Sequence, residues 1–252
     1  MRLKILTYNI HKGNNWLNTT DVLHHIKKGI HDLDLDLCFL QEVQGGKKLA
    51  GDFETQFEFL ADSVWHHYSY GKNAVFPDCH HGNAILTKYP IQRYQNVDIT
   101  TNRFEKRGLL HCIISILDGN EATRLHLLNT HLNLTERGRN QQTEIIFDYV
   151  NEHIPANHPL ILAGDLNDWN GQVSKKIKEE MKLTEVHFSG KKDSLNPLKK
   201  RIATFPSFFP IFHLDRVFYR NLKIEDMAVL DFAPWTKLSD HLPLFAEFTL
   251  LR

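Results

Sequence analysis

The sequence predicts an α/β protein in which sheet packs on sheet with helices outside, and three observations carry that expectation. Short apolar runs of strand length alternate along the chain with segments of helical periodicity. Strands outnumber helices, and the helices are interspersed among them rather than gathered in one block. No linker, low-complexity tract or internal repeat interrupts the 252 residues, so residues 1–252 read as a single domain of the size sheet-rich folds reach.

Leu3 to Ile10 ("LKILTYNI") alternates apolar and polar residues like a strand. "TTDVLHHIKKGI" then sets Val22, Leu23, Ile26 and Ile30 at helical spacing, with Thr19, Thr20 or Asp21 available as its cap. Leu35–Val43 is a second strand, and "FETQFEFLAD" a short amphipathic helix. Strands follow at Asn83–Thr87, Val97–Thr100, Gly108–Leu117 and Leu125–Thr130. A longer helix in "TERGRNQQTEIIFDYVNEHI" gathers Ile145, Ile146, Tyr149 and Val150 on one face. Leu160–Ala163 is a strand and Val173–Met181 a helix; strands at Asp215–Tyr219 and Leu244–Leu250 close the chain.

Hydrophobic residues make up 42% and charged residues 24%, the balance of a soluble protein with a full core. Net charge is zero with histidine neutral, which argues against nonspecific nucleic-acid binding, since that depends on excess Lys and Arg. The basic run Lys191 to Arg201 reads as a solvated loop from its Pro, Asn and Ser. Cys38, Cys79 and Cys112 are scattered and odd in number, so they form neither a disulfide framework nor a zinc ribbon. No signal-peptide pattern precedes the first strand, and no apolar run approaches the roughly 20 residues of a membrane span. A reduced, cytoplasmic, monomeric protein without an integral membrane segment is expected. Of the sixteen histidines, pairs such as His24–His25 and His66–His67 read as exposed or edge positions.

Function shows at the strand ends. In "PLILAGDLNDW" five apolar residues run into Gly164, and then Asp165, Asn167 and Asp168 follow within four positions. A surface turn is one reading, since turns use these residues; a cup of oxygens for a metal or phosphate is the other. Other strand ends repeat the pattern: Asn9 after "LTY", Glu42 after "CFLQ", His131 after "LLNT", Asp215 opening "DRVFY", and Asp240–His241 before "LPLFAEF". Glu42, Asp165 and Asp240, with the amides of Asn9 and Asn167, are hard donors that suit Mg²⁺ or Mn²⁺. His131 and His241 can move protons near neutrality, and Asp215 can orient a histidine. Together these are what in-line attack of water on a phosphate ester requires. Acyl transfer fits worse, for no Gly-x-Ser-x-Gly elbow is present. An EF-hand reading of "DLNDWNG" fails at its sixth and twelfth positions, Asn170 and Lys176. Asp168 reads as a helix cap. At the turn itself, Gly164 is expected to let the chain bend, putting Asp165 and Asn167 on one side with Leu166 in the core.

Seven motifs in order, "TYNI", "LQEV", "HGNAILTKYPI", "NTHL", "AGDLNDW", "LDRVF" and "LSDHLPL", span nearly the whole chain. They resemble the endonuclease/exonuclease/phosphatase superfamily. That group includes DNase I-like nucleases, abasic-site endonucleases, inositol-polyphosphate 5-phosphatases and neutral sphingomyelinases. "HKG", "EKRG" and the "TFP" before "LDR" look like a bacterial subfamily of it. The resemblance implies a DNase I-like four-layer α/β/β/α sandwich with two central mixed sheets, and hydrolysis of phosphoesters with one or two Mg²⁺ or Mn²⁺ ions. It makes Glu42 the main metal ligand, with Asn9 and Asp240 nearby. Asp165 would activate water or protonate the leaving oxygen, and Asn167 would hold the phosphate. Asp215 would orient His241 toward the phosphoryl oxygens, with His131 a second phosphate contact or acid. Arg107, a planar donor, and His81, Asn83 and His11 complete the expected phosphate contacts. His11 stands where abasic-site endonucleases carry an acidic residue, and the secreted nucleases' disulfides are absent. The first departure weakens a repair-nuclease assignment and leaves the metal shell less acidic.

The expected substrate is a phosphodiester of a nucleic acid, nucleotide, lipid or sugar. A phosphomonoesterase of the inositol-phosphatase type and a noncatalytic phosphate-binding module are the alternatives. "TFPSFFPIFHLD" (Thr204 to Asp215) reads as a loop broken by Pro206 and Pro210, beside the site. It is an aromatic platform for a base or a greasy wall for a lipid ester, unless it only covers its own core. Zero net charge favours the smaller or lipid-linked diester.

Overall fold

Alternation along each strand assigns side chains to two faces, and those faces generate the architecture. A computed structural model describes every residue except 16, 18–20, 47–54, 63–64, 66, 119–120, 188–201 and 252. Thr19, Thr20, His66, the start of "FETQFEFLAD" and the basic run Lys191–Arg201 therefore lie outside the described residues. One six-stranded sheet contains β1 (Arg2–Asn9), β2 (Leu37–Gly45), β3 (His67–Val75), β4 (His80–Thr87), β11 (Leu222–Val229) and β12 (Leu244–Leu250), in the order β11-β12-β1-β2-β4-β3. The other contains β5 (Ile91–Asp98), β6 (Gly108–Asp118), β7 (Glu121–His131), β8 (Leu160–Asp165), β9 (Thr184–Glu185) and β10 (Asp215–Arg220), in the order β5-β6-β7-β8-β10-β9. Both are mixed: β1 runs parallel to β2 and β7 to β8, while the other pairs are antiparallel.

Leu3, Ile5, Leu37 and Phe39 of the first sheet pack against Leu110, Cys112, Leu127, Ile161, Ala163 and Val217 of the second. The alternate residues of the first sheet, among them Leu6, Tyr8, Cys38 and Leu40, pack beneath α1 (Leu23–Asp32) and α2 (Gln56–Ala61). On the second sheet Leu128, Leu160, Leu162 and Phe218 lie beneath α3 (Glu136–His153) and α4 (Gln172–Glu180). The four-layer sandwich expected from the sequence is the fold. Among the described residues no helix is long and apolar enough to cross a membrane.

The central strands and all four helices match the periodicity of the sequence, while β3, β9 and β11 carry no such pattern. β5, expected only at Val97–Thr100, runs from Ile91 to Asp98. All four lie at sheet edges. An edge strand exposes polar side chains and carries little apolar periodicity, as "IQRYQNVD" shows. The capping residues follow expectation more closely. Asp21 Oδ1 accepts the Leu23 N–H at 2.9 Å, and Asp168 accepts the Val173 and Ser174 N–H groups at the start of α4.

A polar bridge crosses between the sheets where the apolar core ends. Asn129 Nδ2 donates to the Leu40 and Ala84 carbonyls at 2.9 and 2.8 Å, and its Oδ1 accepts from Gln41 Nε2 at 2.8 Å. Asn83 Nδ2 crosses the other way, to the Gly108 and Asn129 carbonyls.

Beneath α3 runs a chain of imidazoles. Tyr149 Oη, His111, His126 and His158 are linked by contacts of 2.9, 3.0 and 3.0 Å. Burial, reinforced by neighbouring cations, lowers His111 to about 3 and His126 to about 4. Both rings fold neutral and gain protons on unfolding, so their contribution is present above about 6.5 and is lost as pH falls toward 4. Urea midpoints should drop across that window in the wild type, and more shallowly in a His111→Gln/His126→Gln variant. Equal slopes for both proteins would refute the assignment.

Candidate functional site

The inward rows of apolar residues continue past the core as polar ones at one end of the sandwich. On β1 the row Leu3, Ile5 continues to Thr7 and Asn9; on β8, Ile161 and Ala163 lead to Asp165; on β7, Leu125 and Leu127 lead to Asn129 and His131. Register brings them together. Asp165 pairs with His131 of β7 on one side and Asp215 of β10 on the other. Gly164 lies within β8 at φ 147°, where a Cβ would collide with the Thr130 carbonyl of β7. Gly164 therefore permits close strand approach and does not make the turn. The bend falls at Asn167, whose φ is 48°, while Leu166 is buried as expected.

Glu42 reaches the site by a different device. Leu40 pairs with Ala84 and Val43 with Gly82, so Gln41 and Glu42 together oppose Asn83. This bulge holds Glu42 at φ 55°, a left-handed conformation uncommon outside glycine and asparagine. Gln41 and Glu42 thereby escape strict alternation.

Asn9 Nδ2 joins the sheets, lying 3.1 Å from Asp165 Oδ2 and 3.5 Å from Glu42 Oε1. His131 Nε2 and His241 Nε2 approach the same Asp165 oxygen at 3.4 and 3.6 Å, and His241 Nδ1 is 2.7 Å from Asp215 Oδ2. The Asn167 N–H donates to Asp165 Oδ1 at 3.0 Å, and its side-chain amide donates to the Leu132 carbonyl. Asp240 stands beyond His11, whose Nδ1 is 3.8 Å from Asp240 Oδ1 and whose N–H donates to Asn9 Oδ1. A recess beside Glu42 and His131 is lined by His81, Asn83, Lys106 and Arg107. Arg107 contacts Glu105 through Nη2 at 3.2 Å and has a buried, unpartnered Nε. Asn83 differs: its amide donor is spent on the bridge between the sheets.

Burial drives the His241 ring toward neutrality, but Asp215 and Asp165 outweigh it and raise the group to about 10. His131 moves the other way: burial, with Arg107 and the His241 cation, holds it well below the ordinary histidine range. The 3.4 Å contact of His131 with Asp165 is accordingly a neutral imidazole against a carboxyl. Burial raises Asp165 to about 6, against the lowering pull of His241. Burial would also raise Glu42, but Lys12, His11, His241 and Arg107 together leave it below the usual carboxylate range.

Asp165, Asp215 and His241 place ligating atoms within 4.8 Å of one another. Proton sharing makes them an ion-paired network, since an imidazolium has no lone pair to offer a cation. Glu42, ionised and lacking a short protein donor, is the better candidate ligand for a hard divalent ion; Asn9 turns its Nδ2 toward Glu42, and its Oδ1 accepts the His11 N–H.

Three contributors had no assigned role in the sequence. Lys12 Nζ lies 3.5 Å from Glu42 Oε2. Gln56 Nε2 donates to the Lys12 carbonyl at 2.7 Å while its Oε1 accepts the Gln44 N–H. Ser239 Oγ contacts the Asn9 carbonyl at 2.8 Å and accepts the His241 N–H. Lys12 and Ser239 lie inside "HKG" and "LSDHLPL", which was the available signal; Gln56 had none.

The model of the Endonuclease/Exonuclease/phosphatase family matches residues 6–241. The chain belongs to that family. The uncharacterised protein YbhP of Escherichia coli K12 is 35% identical over 253 residues, covering 98% of this chain and 96% of YbhP. An endonuclease/exonuclease/phosphatase from Bacteroides vulgatus superposes with a TM-score of 0.76 at 18% identity, covering 100% of both chains. Another family structure, from Beutenbergia cavernae, gives 0.76 at 20% identity over 99% of this chain and 72% of that one. At such identities the two structures speak for the family fold alone.

His241 is raised, so it stabilises the metal-free fold below about 6.5, and this is lost as pH rises toward 10. By nuclear magnetic resonance its ring should remain protonated at pH 8, and Asp215→Asn should bring its midpoint down. A wild-type ring that titrates near 6.5 would contradict the pairing.

Proposed function

We propose that the chain is a divalent-metal-dependent phosphodiesterase that hydrolyses its substrate by in-line attack of water. The observation that carries this reading is a single carboxylate, Asp165, contacted by Asn9, His131 and His241, with Asp215 behind His241. Glu42, with Asp240 and Asn9, would hold Mg²⁺ or Mn²⁺, as one or two ions. When bound, such an ion polarises a phosphoryl oxygen and lowers the pKa of water.

The chain's own groups then have distinct tasks. Asp165, raised to about 6, is matched to take a proton from water or give one to the leaving oxygen near neutrality. His241 carries its proton on Nε2, aimed into the site, and can donate it as a hydrogen bond to a phosphoryl oxygen as charge builds there. Asp215 holds the opposite nitrogen and fixes the ring. Neutral His131 supplies a second hydrogen bond, and Arg107 offers its unpartnered Nε to the phosphate. Asn167, braced on Leu132, shapes the phosphate's seat. His11 and His81 flank that seat. Lys12 and Arg107 are partly neutralised by Glu42 and Glu105, which favours a diester's one charge over a monoester's two. Free cysteines, with Cys38 and Cys112 buried, support a reducing cytoplasmic setting.

A substrate panel with Mg²⁺ or Mn²⁺ tests the reading. Bis(p-nitrophenyl) phosphate should turn over faster than p-nitrophenyl phosphate. Asp165→Asn and His241→Ala should each lower turnover by about 10²-fold or more, and wild-type rates in either would remove its role. No metal-dependent turnover across diesters and monoesters would leave a noncatalytic module. In calorimetry, Glu42→Gln should weaken divalent-ion binding while circular dichroism shows the fold intact. Unchanged affinity would move the ion elsewhere.

A further inference from the structure

Among the described residues, many of the exposed large apolar side chains lie in loops around the site, while others such as Tyr68, Tyr94 and Leu117 lie away from it. Phe76 lies in the β3–β4 turn at 49% exposure, Phe104 between β5 and β6 at 80%, Leu134 before α3 at 59%, and Trp169 before α4 at 41%. Phe208 and Phe209, in the loop before β10, are exposed by 60% and 67%. Register puts these loops at one end of the sandwich: Val75 pairs with His80 beside Gly45 of β2, Leu109 pairs with Thr130 next to His131, and Asp215 pairs with Asp165. That is the end carrying Glu42, His131, Asp165 and His241. The aromatic surface also continues inward. Trp169 meets Phe212 edge-on at 4.9 Å and Phe205 at 5.8 Å, and Phe205 lies 4.9 Å from the His241 ring.

We infer that this ring seats the molecule on a phospholipid bilayer, and that the substrate is the phosphodiester headgroup of a lipid drawn from it. The inference rests on the phosphodiesterase reading and names its substrate class. Apolar tips from separate loops around a polar cleft suit an interface whose depth is soft and whose contents enter the cleft. A folded protein covering the same ring would close the cleft against substrate. Charge agrees with lipid: the Arg103 guanidinium lies 4.6 Å from the Phe104 ring centroid, and Lys106 lines the recess. Cations beside aromatic tips are the pairing that holds proteins at anionic membrane surfaces. The wall from Trp169 through Phe205 to His241 gives the lipid's apolar part a surface beside the reacting phosphate. A nucleobase platform would instead combine ring faces with a basic groove tracking a strand.

The test is flotation of the full chain with vesicles of phosphatidylcholine alone and with added phosphatidylglycerol. Wild type should float with the mixed vesicles, and Phe104→Ser/Phe209→Ser should lower its partition coefficient by about tenfold or more, given the apolar area withdrawn from the bilayer. Both positions are exposed, and thermal melts by circular dichroism check that the variant is folded. Wild type left behind by both vesicle types, or a variant that floats equally well, overturns the inference. So does a wild-type dimer in size-exclusion chromatography that the two substitutions dissociate, because the ring then has another occupant. Flotation needs no turnover, and bis(p-nitrophenyl) phosphate needs no membrane, so this inference and the phosphodiesterase reading fail separately.

Discussion

The site exists because two sheets are held at one separation, and the amide of Asn129 is where that separation is enforced. Apolar packing between sheets is non-directional and tolerates sliding. Asn129 is directional: rooted on β7, it donates to carbonyls of β2 and β4 and accepts from Gln41. Asn83 answers from β4 toward Gly108 and β7. A buried amide or carbonyl left without its partner costs about 1–3 kcal/mol, so relative displacement of the sheets breaks several such bonds together. Just beyond this bridge, Asn9 of one sheet can meet Asp165 of the other at 3.1 Å. The meeting of Asn9 and Asp165 thus follows from an amide that lies outside their cluster.

The same confinement separates two histidines that are alike in sequence. Both are nearly buried, and both face Asp165. His241 has a second carboxylate at 2.7 Å and stays charged, whereas His131 faces Arg107 and the His241 cation and stays neutral. Environments that push apart the proton affinities of neighbouring groups divide one site into donor and acceptor roles. Neither ring achieves this alone: the charge on His241 helps to keep the proton off His131.

Much of this is legible in the chain itself. Polar residues ending apolar runs marked Asn9, His131, Asp165 and Asp215, because strand alternation carries the inward face past the core without changing direction. The central strands showed themselves by apolar content, and the helices by spacing. What periodicity could not display was the unexposed logic of exceptions. β3, β5, β9 and β11 are edge strands, whose polar residues resemble loops. Gly164 looked like the hinge of a turn, but its need for space is lateral, against Thr130, and Asn167 does the bending. Lys12 and Gln56 matter through contacts across roughly forty residues of sequence, a relation no local pattern contains.

The bulge at Glu42 has a consequence for how such a site can arise. Leu40 and Val43 both pack toward the helices, although they are three positions apart and regular alternation would oppose them. The additional residue absorbs that mismatch and leaves Gln41 and Glu42 both free of the helix face. Deleting either one would restore regular alternation, with Val43 still facing the helices but a single residue left opposite Asn83. A carboxylate substituted into an unbroken strand would not occupy the same place. The place of this acidic corner therefore depends on the length of the chain at β2 as well as on the side chain it carries.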